Sequence, residues 1–334
     1  MNKKIILAIV AILIIVAAGF YYYKAEVSPG ESSAVKKDVL VINPGGVTFT
    51  IFLNSFMDEL AKNNSGGKND INIIYKDSAG DPDKLKQFID EAVILRPDAI
   101  VTISAPPTLA LKDKIKDIPI LTALGDPVEH GYVKSLQGSG ISIAGVSQKT
   151  IELTPKRIEI LKRAVPSIKK IAIFYDTTCG PTKKARPIAN AQAPELGVEL
   201  VEFALTTPSR ADLEKELQKV TNKDFDALMF YPHGTLFAKS DLFIKRAKEE
   251  KLPIVMPEEA SMGDTAIASY GPDYDELGRT LALIARKVLN GEDPGNIPFE
   301  QPSSIQFIIN EKNAKILGIT ISENVIEIAN KVII

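Results

Sequence analysis

Short apolar runs alternate with stretches of helical spacing along most of the chain, and the alternation is written twice. Residues 39–42 (VLVI) run into NPGGVTFT, 98–104 (DAIVTIS) into APPT, and 118–121 (IPIL) into TALGDP. In the second half 171–175 (IAIFY) run into DTTCGPT, 226–230 (DALMF) into YPHGT, and 252–255 (LPIV) into MPEEAS. Each is a β-branched run closed by Gly, Pro, Thr or an acid, with a helical stretch before the next, the βαβ signature of a parallel sheet. Two such sets predict two lobes with a ligand cleft between them. In open parallel sheets ligands lie beyond the carboxyl ends of the strands, so these polar turns form the candidate binding surface.

The helical periodicity fills in the rest. Leu53, Phe56, Met57 and Leu60 share a face over 52–62, and Leu85, Phe88, Ile89, Ala92 and Val93 share one over 82–95. Further helices are expected at 108–115, 151–165, 187–196, 210–220, 237–251, 273–290, 311–317 and 322–332. Strands are expected at 71–75, 140–148, 266–270 and 305–309, with a turn at 291–298. The fold class is α/β: two Rossmann-like lobes with parallel sheets, joined by three crossings near Val146, Ala266 and Pro298. Lobe 1 then comprises 38–147 plus 267–296, and lobe 2 comprises 148–266 plus 297–334.

The N-terminus departs from this pattern. Lys3 and Lys4 precede an uncharged run, 5–20, which ends at Tyr21, Tyr22, Tyr23 and Lys24. As a helix, 5–23 would rise about 28 Å, close to a bilayer core. The basic end would stay in the cytoplasm and the remainder would lie outside. Residues 1–24 therefore read as a membrane anchor or a signal segment. Ala17, Ala18 and Gly19 suit a cleavage site, whereas the tyrosines and lysine resemble an interfacial belt and favour the anchor. A cysteine-linked lipid anchor is excluded, and 25–37 is a polar linker.

Charge and motifs narrow the function. Lys and Arg number 40 against 42 acidic residues, interspersed, so the basic stripe of a nucleic-acid partner is missing. One cysteine, Cys179, rules out an internal disulfide and reads as a plain small loop residue. The two histidines, His130 and His233, form no metal-spaced cluster, and no nucleophile elbow or phosphate loop occurs. Glu258 and Glu259 are adjacent and point apart in an extended loop, which makes them a poor acid/base pair. No enzyme, metal site or cofactor is expected.

The stretches DIPILTALGDPVEHGYVKSL with GVSQ, KKIAIFYD, ASYGPDYDELGRTLALIARKVLNGEDPGNIP and FIINEKNAKILGITI resemble the tryptophan/tyrosine-type substrate-binding proteins of ABC importers. The likeness runs from residue 39 to 328, and the Asp126-Pro127 turn and the segment from Tyr270-Gly271 to Gly278 are its most specific parts. It implies the type I periplasmic-binding-protein fold. It also implies a monomer that captures a small ligand, often an aromatic amino acid, by lobe closure outside the cytoplasm. Delivery would be to ABC permease and ATPase subunits. A membrane-tethered ligand sensor would share the fold.

An amino acid needs partners for its carboxylate, its ammonium and its side chain. Turns that open helices present free N–H groups to an anion, and Thr48, Thr50, Thr108, Thr177, Thr178 and Thr235 stand in such turns. A threonine there is equally an ordinary N-cap. Asp126, Glu258, Glu259 and Asp273 could meet an ammonium or cap a helix. Phe49, Phe52, Tyr231 and Tyr270 could line a pocket or fill the core. Gly45 and Gly46 allow close backbone approach. Relatives typically carry Asp-Glu-Asp where this chain has Glu258, Glu259 and Ala260, and often Asp and Asn at His233 and Gly234. Those departures leave a neutral ligand such as a sugar or nucleoside open.

Overall fold

The computed structural model describes residues 35–62, 69–129, 131–231 and 233–334. The expected anchor, cleavage site and most of the linker lie outside these residues. Among the described residues no helix is long and apolar enough to cross a membrane.

The first lobe is built on β1 (Val35–Asn43), β2 (Asn69–Asp77), β3 (Ala99–Ile103), β4 (Ile120–Leu124) and β5 (Ile143–Ser147), parallel throughout and ordered β2-β1-β3-β4-β5. Strands β3, β4 and β5 are buried along their whole length, which is why they read as predominantly apolar runs. Helices α1 (Val47–Ala61), α2 (Pro82–Leu95) and α3 (Ala105–Lys114) return between them. Helix α2 starts where the sequence places it: the Asp81 carboxylate caps the backbone N–H groups of Asp83 and Lys84, and Pro82 follows.

The second lobe begins with α4 (Thr150–Ala164) and continues through β6 (Lys170–Asp176), α5 (Gly180–Gln192), β7 (Glu199–Leu205), α6 (Arg210–Leu217), β8 (Ala227–Phe230), α7 (Gly234–Phe237) and α8 (Ser240–Glu250). Strands β9 (Val255–Met256) and β10 (Ala268–Pro272) follow. The parallel ladder β7-β6-β8 continues into β9 through Leu228 N–H to Pro253 O (3.2 Å). Beyond β10 the antiparallel β11 (Ile305–Asn310) and the parallel β12 (Lys331–Ile333) complete this lobe, with α10 (Glu311–Leu317) and α11 (Glu323–Ile326) beside them.

Helix α9 (Tyr274–Leu289) leaves the second lobe and packs on α1. Its buried face carries Leu277, Leu281, Ile284 and Val288. The contact is close at Gly278, where a Cβ would lie 2.2 Å from the Phe52 carbonyl oxygen, so only glycine fits. Burial of each such leucine or isoleucine contributes about 1.5–3 kcal/mol, which fastens the returning segment to the first lobe.

Three expectations are corrected and one strand is added. Residues 268–272 pair with β9 and β11, so this stretch belongs to the second lobe and the crossing near Ala266 moves to Pro272–Asp273. Residues 322–332 form one short helix and an edge strand in place of a continuous helix, because β12 finds open pairing groups on β11. Helix α5 starts at Gly180, seven residues before Pro187, which lies inside it. Strand β7, partly exposed on an edge, is the added one, its apolar residues broken by Glu199 and Glu202. The other two crossings run side by side: Ser147 N–H donates to Glu300 O (2.7 Å), and Glu300 N–H to Gly145 O (3.1 Å).

Candidate functional site

The carboxyl ends of both sheets face one cleft, and the lobes touch across it. Gly46 (φ +94°) comes so close to the second lobe that a Cβ would lie 2.9 Å from both Ala238 Cα and Phe237 O. At Gly234 a Cβ would lie 2.5 Å from Ser104 Oγ, so the Gly234 backbone meets the Ser104 side chain there. Phe49 is in the first turn of α1, not in the loop, and its buried ring stacks on Phe237 with centroids 5.3 Å apart. Lys184 Nζ donates to Glu129 O at the rim. Between the lobes lies an apolar cavity of about 390 Å³, walled by Pro44, Leu85 and Pro106 on one side and Gly234, Ala238 and Lys239 on the other. That volume is within the range of roughly 300–1,000 Å³ usual for small-molecule sites.

On the first lobe most candidate hydroxyls are engaged within the lobe. Thr108 Oγ1 donates to Ser104 O (2.7 Å) and meets Thr122 Oγ1 (2.8 Å), fully buried. Thr50 Oγ1 donates to Gly46 O (3.0 Å) and accepts from Asn43 Nδ2 (3.0 Å). Thr48 instead reaches across and donates to Glu258 Oε1 of the second lobe. Asp126, at φ 47°, accepts from Ile151 N–H at 2.6 Å, tying the first-lobe turn to the start of α4. Residues this buried keep such bonds because an unmet polar group costs about 1–3 kcal/mol.

The second lobe presents charge. Asp176, which no pattern in the sequence singled out as a site residue, is fully buried at the end of β6. Its carboxylate accepts from Thr178 N–H (2.9 Å), Thr178 Oγ1 (2.7 Å) and Thr235 Oγ1 (2.6 Å), with His233 Nδ1 at 3.6 Å. Burial would raise the Asp176 carboxyl, but the bonds from His233, Thr235 and Thr178 outweigh it and hold it well below the usual range. Burial likewise opposes the charge on His233, yet Asp176 and Cys179 raise the imidazole to about 9. Cys179 is the N-cap of α5, where its Sγ accepts from Thr182 N–H (3.4 Å), a role beyond a plain loop residue.

Glu258 accepts from Ala260 N–H (2.6 Å) as well as from Thr48, and burial lifts its carboxyl above the ordinary range. Glu259 instead pairs with Lys331, and Asp273 caps α9 through Asp275 N–H (2.9 Å) and Glu276 N–H (3.1 Å). Thr177 meets Thr206 away from these groups (2.8 Å). Tyr231 is buried edge-on to Tyr175, and Phe52 lies in the core. Tyr270 packs edge-on to Phe307, and its carbonyl accepts from Arg157 Nε at 2.6 Å. Arg157 is 3% exposed, and burial lowers it to about 10. A lone basic residue on an amphipathic helix ordinarily reads as a solvated charge, so nothing in the sequence marked it.

This cleft, open to the carboxyl ends of two sheets and bridged by three crossings, is the architecture of a clamp. The family model for ABC transporter substrate binding protein matches residues 53–333. The chain belongs to that family. Proteins of this kind are the extracytoplasmic substrate-binding subunits of ABC transporters. Among curated relatives of this subunit, a tyrosine-binding protein of Clostridioides difficile is 31% identical over 248 residues, which is 74% of this chain and 70% of that one.

Two solved structures bear on the state of the lobes. A Streptococcus pneumoniae ABC domain in complex with L-Trp has 25% identity and a TM-score of 0.76, covering 89% of this chain and 100% of the other. A substrate-binding protein with adhesive properties from Clostridium difficile, ligand-free and open, has the same 25% identity and a TM-score of 0.58, covering 89% and 99%. At equal identity the subunit superposes better on the complex than on the open form. That agrees with the contacts between the lobes at Gly46, Thr48 and Gly234.

Proposed function

We propose that this subunit captures an amino acid with an aromatic side chain between its lobes and passes it to the permease. The observation that carries the reading is Glu258, a buried second-lobe carboxylate that is held by first-lobe Thr48 and lines a separate pocket with Gly271 and Tyr274 on the hinge side of the apolar cavity. A buried carboxylate at the meeting of two lobes suits an ammonium group. The tyrosine-binding relative and the L-Trp complex support the same class. Capture is a population shift: the ligand contacts both lobes and favours the closed form.

Calorimetry of the full chain in mild detergent tests this directly. L-tyrosine, L-tryptophan or L-phenylalanine should bind in the micromolar range, about −8 kcal/mol. Heat from a sugar or nucleoside, with none from any amino acid, would reject the class.

We also propose that residues 5–23 hold the subunit to the membrane as a monomer, with the clamp outside. The uncharged run between basic residues and the tyrosine cluster supports it. The native protein should fractionate with membranes and keep its first residues. A terminus near residue 20 by mass spectrometry would show cleavage instead.

A further inference from the structure

Arginine cannot shed its proton inside a protein, so a buried guanidinium without an anion is costly. The arginines at 96, 163, 186, 210, 246 and 279 each pair with a carboxylate. Arg286 binds backbone oxygens and is partly exposed. Arg157 alone is both buried and without a carboxylate among the described residues. Its Nε donates to Tyr270 O (2.6 Å) and its Nη1 to Thr154 Oγ1 (3.4 Å), both neutral. Lys239 is buried too, with Thr235 O as its acceptor (3.2 Å), but a lysine can answer burial by losing its proton, and its pKa is lowered accordingly.

The position of Arg157 is as telling as its isolation. It rises from α4 to the carboxyl end of β10, where its Nη2 lies 3.2 Å from the Cβ position of Gly271. The same Cβ position abuts Pro257 O, the residue before Glu258. A buried guanidinium and a buried carboxyl group therefore sit at neighbouring strand ends with no ion pair between them. The phenol of Tyr274, fixed at the start of α9, feels both charges. The charged and titratable groups around Arg157 are thus Tyr270, Tyr274 and, beyond Tyr274, Glu258.

We propose that Arg157 receives the ligand's carboxylate, with Glu258 taking the ammonium borne on the same carbon. This rests on the amino-acid reading above and adds to it the anionic contact. It moves the carboxylate away from the threonine hydroxyls, of which that of Thr108 is already engaged by Ser104 and Thr122, to the hinge end of the cleft.

The variants Arg157→Met and Arg157→Lys, in the full detergent-solubilised chain, test it in two arms. In the first, unfolding is followed without ligand. Arg157→Met should be as stable as the parent or more so, because an apolar side chain replaces an uncompensated buried charge. A clear loss of stability would make Arg157 a structural tie of Tyr270 and overturn the proposal. In the second arm, calorimetry compares L-tyrosine with tyramine and L-tryptophan with tryptamine, amines that keep ring and ammonium but lack the carboxylate. The parent should prefer the acids by roughly tenfold or more. Arg157→Met should lose that preference with amine affinity unchanged, and Arg157→Lys should restore part of it. A preference that survives in Arg157→Met also overturns the proposal. Should the parent bind none of the four, the amino-acid reading fails on its own, and the unfolding arm still decides whether Arg157 awaits an anion.

Discussion

The two lobes follow one strand-turn-helix plan but offer the cleft different chemistry. At the strand ends of the first lobe, Thr50 and Thr108 satisfy their hydroxyls inside the lobe, Gly46 contributes close backbone approach, and the Ser104 side chain meets Gly234. At the corresponding ends of the second lobe stand Asp176, His233 and Glu258, with Arg157 beneath them, all buried. Repetition of topology has not repeated the chemistry. On the proposal above, the second lobe distinguishes charge and the first closes over the ligand so bound. Such a division lets the charged contacts form before closure and lets closure exclude water from them, where each is worth more.

The sharpest way to break this comparison is to remove one contact from each side. Glu258→Gln should weaken amino-acid binding roughly ten- to a hundredfold, about 1.5–3 kcal/mol, by deleting a charge-assisted bond. Thr48→Val, its partner across the cleft, should cost less than about tenfold, since Glu258 keeps Ala260 N–H. Equal losses in calorimetry would erase the asymmetry.

A second test concerns closure. Gly46→Ala places a methyl against Ala238 and Phe237 O, and overpacking of this kind costs about 1–3 kcal/mol. The closed form should bear most of that cost, so affinity should fall. Gly131→Ala is the control: φ is +69° but nothing lies within 4 Å of the added Cβ. It should lower stability slightly through strain and leave affinity unchanged. If both variants bind alike, the lobes do not meet at Gly46 when ligand is held.

The smallest effect sharpens the charge side. His233, raised to about 9, contributes stability that is fully present below about pH 6.5 and is lost as pH rises through about 9. Asp176, held low, contributes stability present above about pH 4 and lost as pH falls below that. Replacing His233 by Asn should therefore flatten the alkaline decline of unfolding temperature. An unaltered alkaline limb would mean that His233 is neutral in the folded protein.

The sequence made the fold legible where burial is complete. Strands β3 and β4 and helix α9 are uniform enough that apolar runs and spacing mark them. Strand β7 and the C-terminal β12 escaped because edge strands are partly exposed, and their pairing depends on partners far along the chain. The site was legible by position but not by role. Thr48 meets Glu258, and His233 gathers with Thr235 and Asp176, whereas Asp126 ties α4 to the first lobe and Phe49 serves the core between the lobes. Arg157 and Asp176 were invisible because their meaning lies in what surrounds them. A basic residue on a helix and an acid at a strand end signify little until burial and the missing or supplied counter-charge are known.

The central claim is that ligand closes the lobes on each other, and an inter-lobe distance tests it most directly. Lys134 of the first lobe and Lys183 of the second are exposed, and Cys179, 1% exposed, is shielded from labelling. Spin labels on Lys134→Cys and Lys183→Cys in the full chain should give a longer, broader distance distribution without ligand. Saturating L-tyrosine should collapse it to one shorter distance. The same distribution at a concentration where calorimetry shows full occupancy would contradict a clamp.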